Sequence, residues 1–78
     1  IKHMSKQAID IRWPEGDFSS RIAFIQLVID AGFTGIGCYN SFIHVDTASK
    51  RCWGPSGGRA SMYQQYVSVL RKNGYTVG

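Results

Sequence analysis

Seventy-eight residues bound this chain to one domain, residues 1–78, whose modest core a disulfide, a metal ion or a partner commonly reinforces. A 44% hydrophobic content with ten aromatic side chains excludes a disordered chain. The net charge is +4, but only Lys50-Arg51 and Arg71-Lys72 stand in pairs, which argues against the basic stripe of a nucleic-acid binder, and no apolar run is long enough to span a membrane.

Residues 8–12, Ala-Ile-Asp-Ile-Arg, read as a short strand. Ile9 and Ile11 share one face, and Ala8, Asp10 and Arg12 share the other. Trp13-Pro14-Glu15-Gly16-Asp17 is a loop punctuated by proline and glycine. A helix is predicted over 19–31, with Asp17 or a nearby serine accepting the free N–H groups of its first turn. Its apolar residues leave only a narrow polar strip at Arg21, Gln26 and Asp30, which predicts a well-buried helix. Gly32 suits the left-handed position after the last turn, with Phe33 folding back on it.

Ile36–Tyr39 and Phe42–Thr47 read as a hairpin across Asn40-Ser41. Phe42, His44 and Asp46 point to one face, and Ile43 and Val45 to the other. Residues 48–59 are rich in Ser, Gly, Lys and Arg and read as one long loop, functional or merely mobile. Within it, Ser56-Gly57-Gly58 is too short for a phosphate-binding loop. A second helix is predicted over 60–73, buried through Met62, Tyr63, Tyr66, Val69 and Leu70 and ended by Asn73-Gly74. Cys38 and Cys52 lack the spacing of a Cys-x-x-Cys motif. They suit either a disulfide, in an oxidising compartment, or two unpaired thiols.

Three residues carry the chemistry. His3, Asp10 and His44 are two imidazoles and one carboxylate, a ligand set suited to zinc with the fourth position left to water. Each also has a plainer reading. His3-Met4 matches a common cloning scar. Asp10 can pair with Arg12 or a lysine at the surface, and His44 can sit in the core against a backbone partner. His44 and Asp46 lie about 7 Å apart along one side of a strand, which sets an acid beside a candidate ligand.

These residues stand in Lys2-His3-Met4-Ser5-Lys6-Gln7-Ala8-Ile9-Asp10 and Ser41-Phe42-Ile43-His44-Val45-Asp46-Thr47. The pattern resembles the LAS zinc peptidases, which include D-alanyl-D-alanine carboxypeptidases, murein endopeptidases, phage endolysins and the hedgehog signalling domain. Their first motif is commonly Ser-x-His-x-x-Gly-x-Ala-x-Asp, matched here by His3, Ala8 and Asp10. Ala31-Gly32-Phe33, Gly35-Ile36-Gly37-x-Tyr39 and Phe42–Thr47 match further, and Arg51–Trp53 more loosely. The nearest subgroup is the bacterial and phage members with a His-x-Asp ending.

The resemblance implies an α+β fold, a small antiparallel sheet with two packed helices, like that of hedgehog and the D-Ala-D-Ala peptidases but lacking its N-terminal part. It implies Zn2+ held by His3, Asp10 and His44. It also implies hydrolysis of stem or cross-bridge peptides of peptidoglycan, in the periplasm, outside the cell or from a phage. Departures are Lys6 at the family's glycine and Ile1 at its serine. The stretch Cys38–Ile43, where the family places its general base, holds no carboxylate. Asp46 is the substitute, either as catalytic base or as a partner that fixes a ligand imidazole. Arg12, Arg51 and Trp53 are candidates for substrate binding, against the plainer reading of solvated charges and an indole at the core edge. Two alternatives to a peptidase are a non-catalytic, zinc-stabilised domain that binds wall or protein, and a metal-free structural piece.

Overall fold

The computed structural model describes residues 7–55 and 63–77. The order of elements is β1 (Ala8–Arg12), α1 (Phe18–Asp30), β2 (Gly35–Cys38), β3 (Phe42–Asp46), β4 (Arg51–Trp53), α2 (Gln64–Lys72) and β5 (Thr76–Val77). The strands form one sheet in the order β1-β3-β2-β4-β5. The class is α+β with two helices, as the sequence predicts.

The sheet is mixed rather than antiparallel. β3 pairs antiparallel with both β1 and β2, whereas β2–β4 and β4–β5 are parallel. The difference comes from the segment predicted as one long loop. Arg51-Cys52-Trp53 is a strand, short enough to carry no periodic signal, and it docks on the side of β2 away from β3. From there α2 carries the chain over to β5, the helical crossover that a parallel neighbour requires.

Helix α1 starts as the sequence predicts, with Asp17 accepting from the backbone N–H of Ser20. Gly32, just past its end, has φ +99°, and the N–H of Phe33 donates back to the carbonyl of Val28. Its burial is less complete than predicted. Ile25 and Val28 are buried, but Leu27 is 63% exposed. Both helices form a single layer, so the outer side of α1 meets no second layer among the described residues. Helix α2 runs from Gln64, with Tyr63 before its first turn; residues 60–62 of the predicted helix lie outside the described residues. Its buried stripe is Tyr66, Val67 and Leu70, while Tyr63 is exposed and Val69 half-buried; Met62 lies outside the described residues.

Alternation along the strands divides the sheet into two faces. Ile36, Cys38, Ile43, Val45 and Cys52 point towards the helices and are buried among Ile25, Val28, Tyr66, Val67 and Leu70. The two cysteines are free thiols, not a disulfide. Cys52 is in register with Ile36, so Cys38 sits two positions further along the neighbouring strand, beyond the spacing a disulfide bridges. Burial pushes the Cys38 thiol up to about 12, which makes it inert at neutral pH.

Candidate metal centre

The other face of the sheet carries the residues singled out in the sequence, set in rows across the strands. One row runs Asp10, His44, Gly37, Trp53. The next runs Ala8, Asp46, Gly35, Arg51. On the opposite side Arg12 stands against Phe42. Residues far apart in sequence thus meet because antiparallel register puts Asp10 directly opposite His44.

In the first row, Asp10 Oδ1 lies 2.9 Å from His44 Nδ1. The other ring nitrogen, Nε2, lies 3.0 Å from Asp46 Oδ2. Asp46 is held in turn by Arg51, whose Nη1 and Nη2 donate to Oδ1 and Oδ2, each at 2.9 Å. The backbone N–H of Ala48 adds a further bond to Oδ1 at 3.0 Å. Asp46 is only 6% exposed, yet its carboxylate is well satisfied.

The electrostatics follow. The Arg51 guanidinium, above all, holds the Asp46 carboxyl far below the usual carboxylate range; burial works the other way, and the bonds from His44 and Ala48 add to the lowering. Burial pulls the His44 pKa down, but the hydrogen bonds and charges of Asp10 and Asp46 outweigh it and the net shift is upward.

Two glycines make room for this network. A Cβ on Gly35 would fall 1.9 Å from Asp46 Oδ1 and 2.1 Å from Arg51 Nη1. A Cβ on Gly37 would fall 2.5 Å from the Trp53 indole. Trp53 therefore lies flat on β2, its centroid 5.5 Å from the His44 ring, with Arg51 over it at 4.6 Å. The indole N–H donates to the Tyr39 hydroxyl at 2.8 Å. Tyr39, Gly35 and Gly37 were not among the residues assigned roles from the sequence. The signal was present in Gly-Ile-Gly-Cys-Tyr, where Gly37 lies in the predicted strand and Gly35 stands just before it at the same parity.

Of the expected metal ligands, Asp10 and His44 come together and His3 lies outside the described residues. Among the described residues, no group of three or more His, Cys, Asp or Glu is arranged to hold a metal ion. Asp10 and His44 supply two of the three protein donors that a zinc site of this kind needs. Their 2.9 Å spacing is that of a hydrogen bond, shorter than the about 3.3 Å that separates two ligands of a tetrahedral zinc. Asp10 is open to solvent, so a third donor and a substrate have access. Asp46 on the far nitrogen would select the tautomer that leaves Nδ1 its lone pair. Arg51 and Trp53 face the site, but both guanidinium Nη atoms are engaged by Asp46. Arg12 is exposed and makes no ion pair among the described residues. Compared with protein-family models, with curated proteins and with solved structures, the chain gives no match.

Proposed function

We propose that this chain is a zinc-dependent peptidase domain acting on the peptides of bacterial peptidoglycan, with the fold of the LAS peptidases and a place of work outside the cytoplasm. The observation that carries the reading is the Asp10–His44 pair at 2.9 Å, with the second His44 nitrogen anchored on an Asp46 that Arg51 holds. It meets one need of a histidine ligand, a far nitrogen bonded to a carboxylate that sets its tautomer, and it puts beside the near nitrogen a carboxylate that would share the ion, whose binding would displace the proton between them. Together with His3, these side chains would hold Zn2+, which supplies Lewis acidity towards a peptide carbonyl and activates water. Asp10 and His44 bind; Asp46 and Arg51 orient. A carboxylate paired with arginine is a weak base, so in this reading Asp46 is a positioning residue and not the group that takes a proton from water.

That last point also favours a second reading, a zinc-stabilised domain that binds wall peptide without cutting it. Purified protein, its metal content measured, is to be incubated with purified wall while released amines are counted. The peptidase reading expects one zinc per chain, zinc-dependent release, and loss of release in His44→Ala. Zinc and wall binding without release supports the binding domain. Full activity in His44→Ala rules out the proposed site, and a chain that takes up no zinc rules out both readings.

A further inference from the structure

We propose that β1 is a pairing edge for a second copy of this chain: two β1 strands join antiparallel about Ile11, so that each Arg12 lies opposite the partner's Asp10. The joint requires no metal and does not depend on the peptidase reading. The sheet has two edges, and they differ. β5, at one end, is two residues long, and short edge strands resist further pairing. β1, at the other, has five residues, pairs on one side only, and runs against β3 in unbroken register without a bulge. Its sequence, Ala-Ile-Asp-Ile-Arg, holds no proline or lysine to blunt it. Four of its five residues are exposed, and Ile9 is 51% exposed.

Backbone parity tells what this edge offers. The carbonyl of Gln7 accepts from the N–H of Thr47, so Gln7, Ile9 and Ile11 bond towards β3. The N–H and C=O groups of Ala8, Asp10 and Arg12 therefore point outwards, to a side where no strand lies among the described residues. Asp10 and Arg12 also carry opposite charges two positions apart on one face, which makes the edge complementary to an antiparallel copy of itself. A two-fold axis normal to the sheet keeps both open faces on one side and allows only registers that oppose residues of the same parity. Centring on Asp10 sets the two Asp10 carboxylates against each other, and like charges directly opposite are destabilising. Centring on Ile9 sets Asp10 against the partner's Ala8 and brings no acid to Arg12. Centring on Ile11 pairs Asp10 with the partner's Arg12 twice over, and each of these pairs exchanges two N–H···O bonds. Both side chains have capacity for it. Arg12 makes no ion pair among the described residues, and Asp10 gives Oδ1 to His44 while Oδ2 makes no hydrogen bond there. On the helix side Ile11 meets the partner's Ile11, and Ile9 reaches it on the diagonal, which covers an exposed isoleucine. The second copy thus adds an arginine beside each Asp10–His44 pair.

Sedimentation in chelator, from about 1 μM to about 1 mM protein, measures the association. The parent is expected to be dimeric in the upper part of that range. Arg12→Glu should weaken the dimer roughly 10- to 100-fold, because two attractive pairs become repulsive. Adding Asp10→Arg to that variant exchanges the charges and should restore the dimer, which separates a lost joint from a lost fold. Register is read by cross-linking. Ile11→Cys stands opposite its own copy, within bridging distance, and should oxidise to a covalent dimer; the two copies of Ile9→Cys stand four positions apart and should not. Cys38 and Cys52 are buried and form a common background in both variants. A parent that is monomeric throughout, a dimer that Arg12→Glu leaves intact, or a link through Ile9→Cys in place of Ile11→Cys overturns the proposal. So does the absence of both the rescue and the Ile11→Cys link.

Discussion

The two faces of one sheet, built from alternate residues of the same strands, work by opposite means. The helix-covered face is apolar: Ile36, Ile43, Val45 and Cys52 have no exposure at all. Its cohesion comes from area removed from water and carries no charge that titrates near neutral pH. On the open face, Asp10, His44, Asp46 and Arg51 are chained by hydrogen bonds and glycines replace side chains on β2. Its cohesion depends on which groups carry charge. The difference teaches that folding and chemistry are separable here: the core face fixes the strands, and register then delivers the polar residues to one another.

Cutting into the core face tests the separation most severely. Ile36→Ala deletes a fully buried side chain from the central strand and is expected to cost about 3–4 kcal/mol. Total stability for a chain of this size is of order 4–12 kcal/mol, so the loss should be obvious in urea melts. In the fraction that stays folded, the zinc uptake proposed for the open face should be unchanged. The open face should respond less. Arg51→Met leaves the Asp46 carboxylate nearly buried with its main partner gone, an expected cost of about 2 kcal/mol. Adding Asp46→Asn should restore part of it, since the charge that needed Arg51 has been removed. A double mutant no more stable than Arg51→Met would mean that the ion pair does not organise this face.

The pH response sharpens the contrast, with two groups of opposite sign. Asp46 has a depressed folded-state pKa. Its contribution is therefore complete above the unfolded carboxylate value of about 3.9 and is lost as pH falls from there towards the folded value. His44 has a raised folded-state pKa. Its contribution is complete below the unfolded value of about 6.5 and disappears as pH rises through the folded value. Metal-free protein should therefore gain most from this face between about pH 4 and 6.5. Denaturant melts across pH, in chelator, should show a shallower acid decline in Asp46→Asn and a shallower alkaline decline in His44→Gln. Identical pH profiles for parent and variants would remove these groups from the account. The core variant Ile36→Ala should shift the whole curve down without changing its shape.

Legibility in the sequence followed the same division. The strand over 8–12, the first helix with its Asp17 cap and the hairpin were readable because each carries a full period of alternating or helical apolar residues. β4 and β5 were not. Three and two residues cannot display a period, and what makes them strands is pairing with β2 and β4, a tertiary fact. With them went the mixed character of the sheet. At the site, strand parity correctly put His44 and Asp46 on one face. The bidentate Arg51–Asp46 pair was out of reach, because the strand that carries Arg51 was read as loop. The flat seating of Trp53 on Gly37 depends on a register that no local pattern encodes.

The smallest expected effect lies outside both faces, on the outer side of α1. Helical periodicity there counted Leu27 among apolar positions, and a helix apolar this far round would ordinarily be enclosed. Yet the side chain is 63% exposed and Gln26, next to it, bonds to Asp30 at the surface. If the chain stands alone in solution, Leu27→Gln removes little buried area and keeps a good helix former, so stability should change by no more than about 0.5 kcal/mol. The melt should be run over a range of protein concentrations. A larger loss that grows with concentration would mean that the leucine is covered by a second copy, and a loss independent of concentration would mean that it is covered within the chain. Either result would put a third cohesive surface beside the two faces of the sheet.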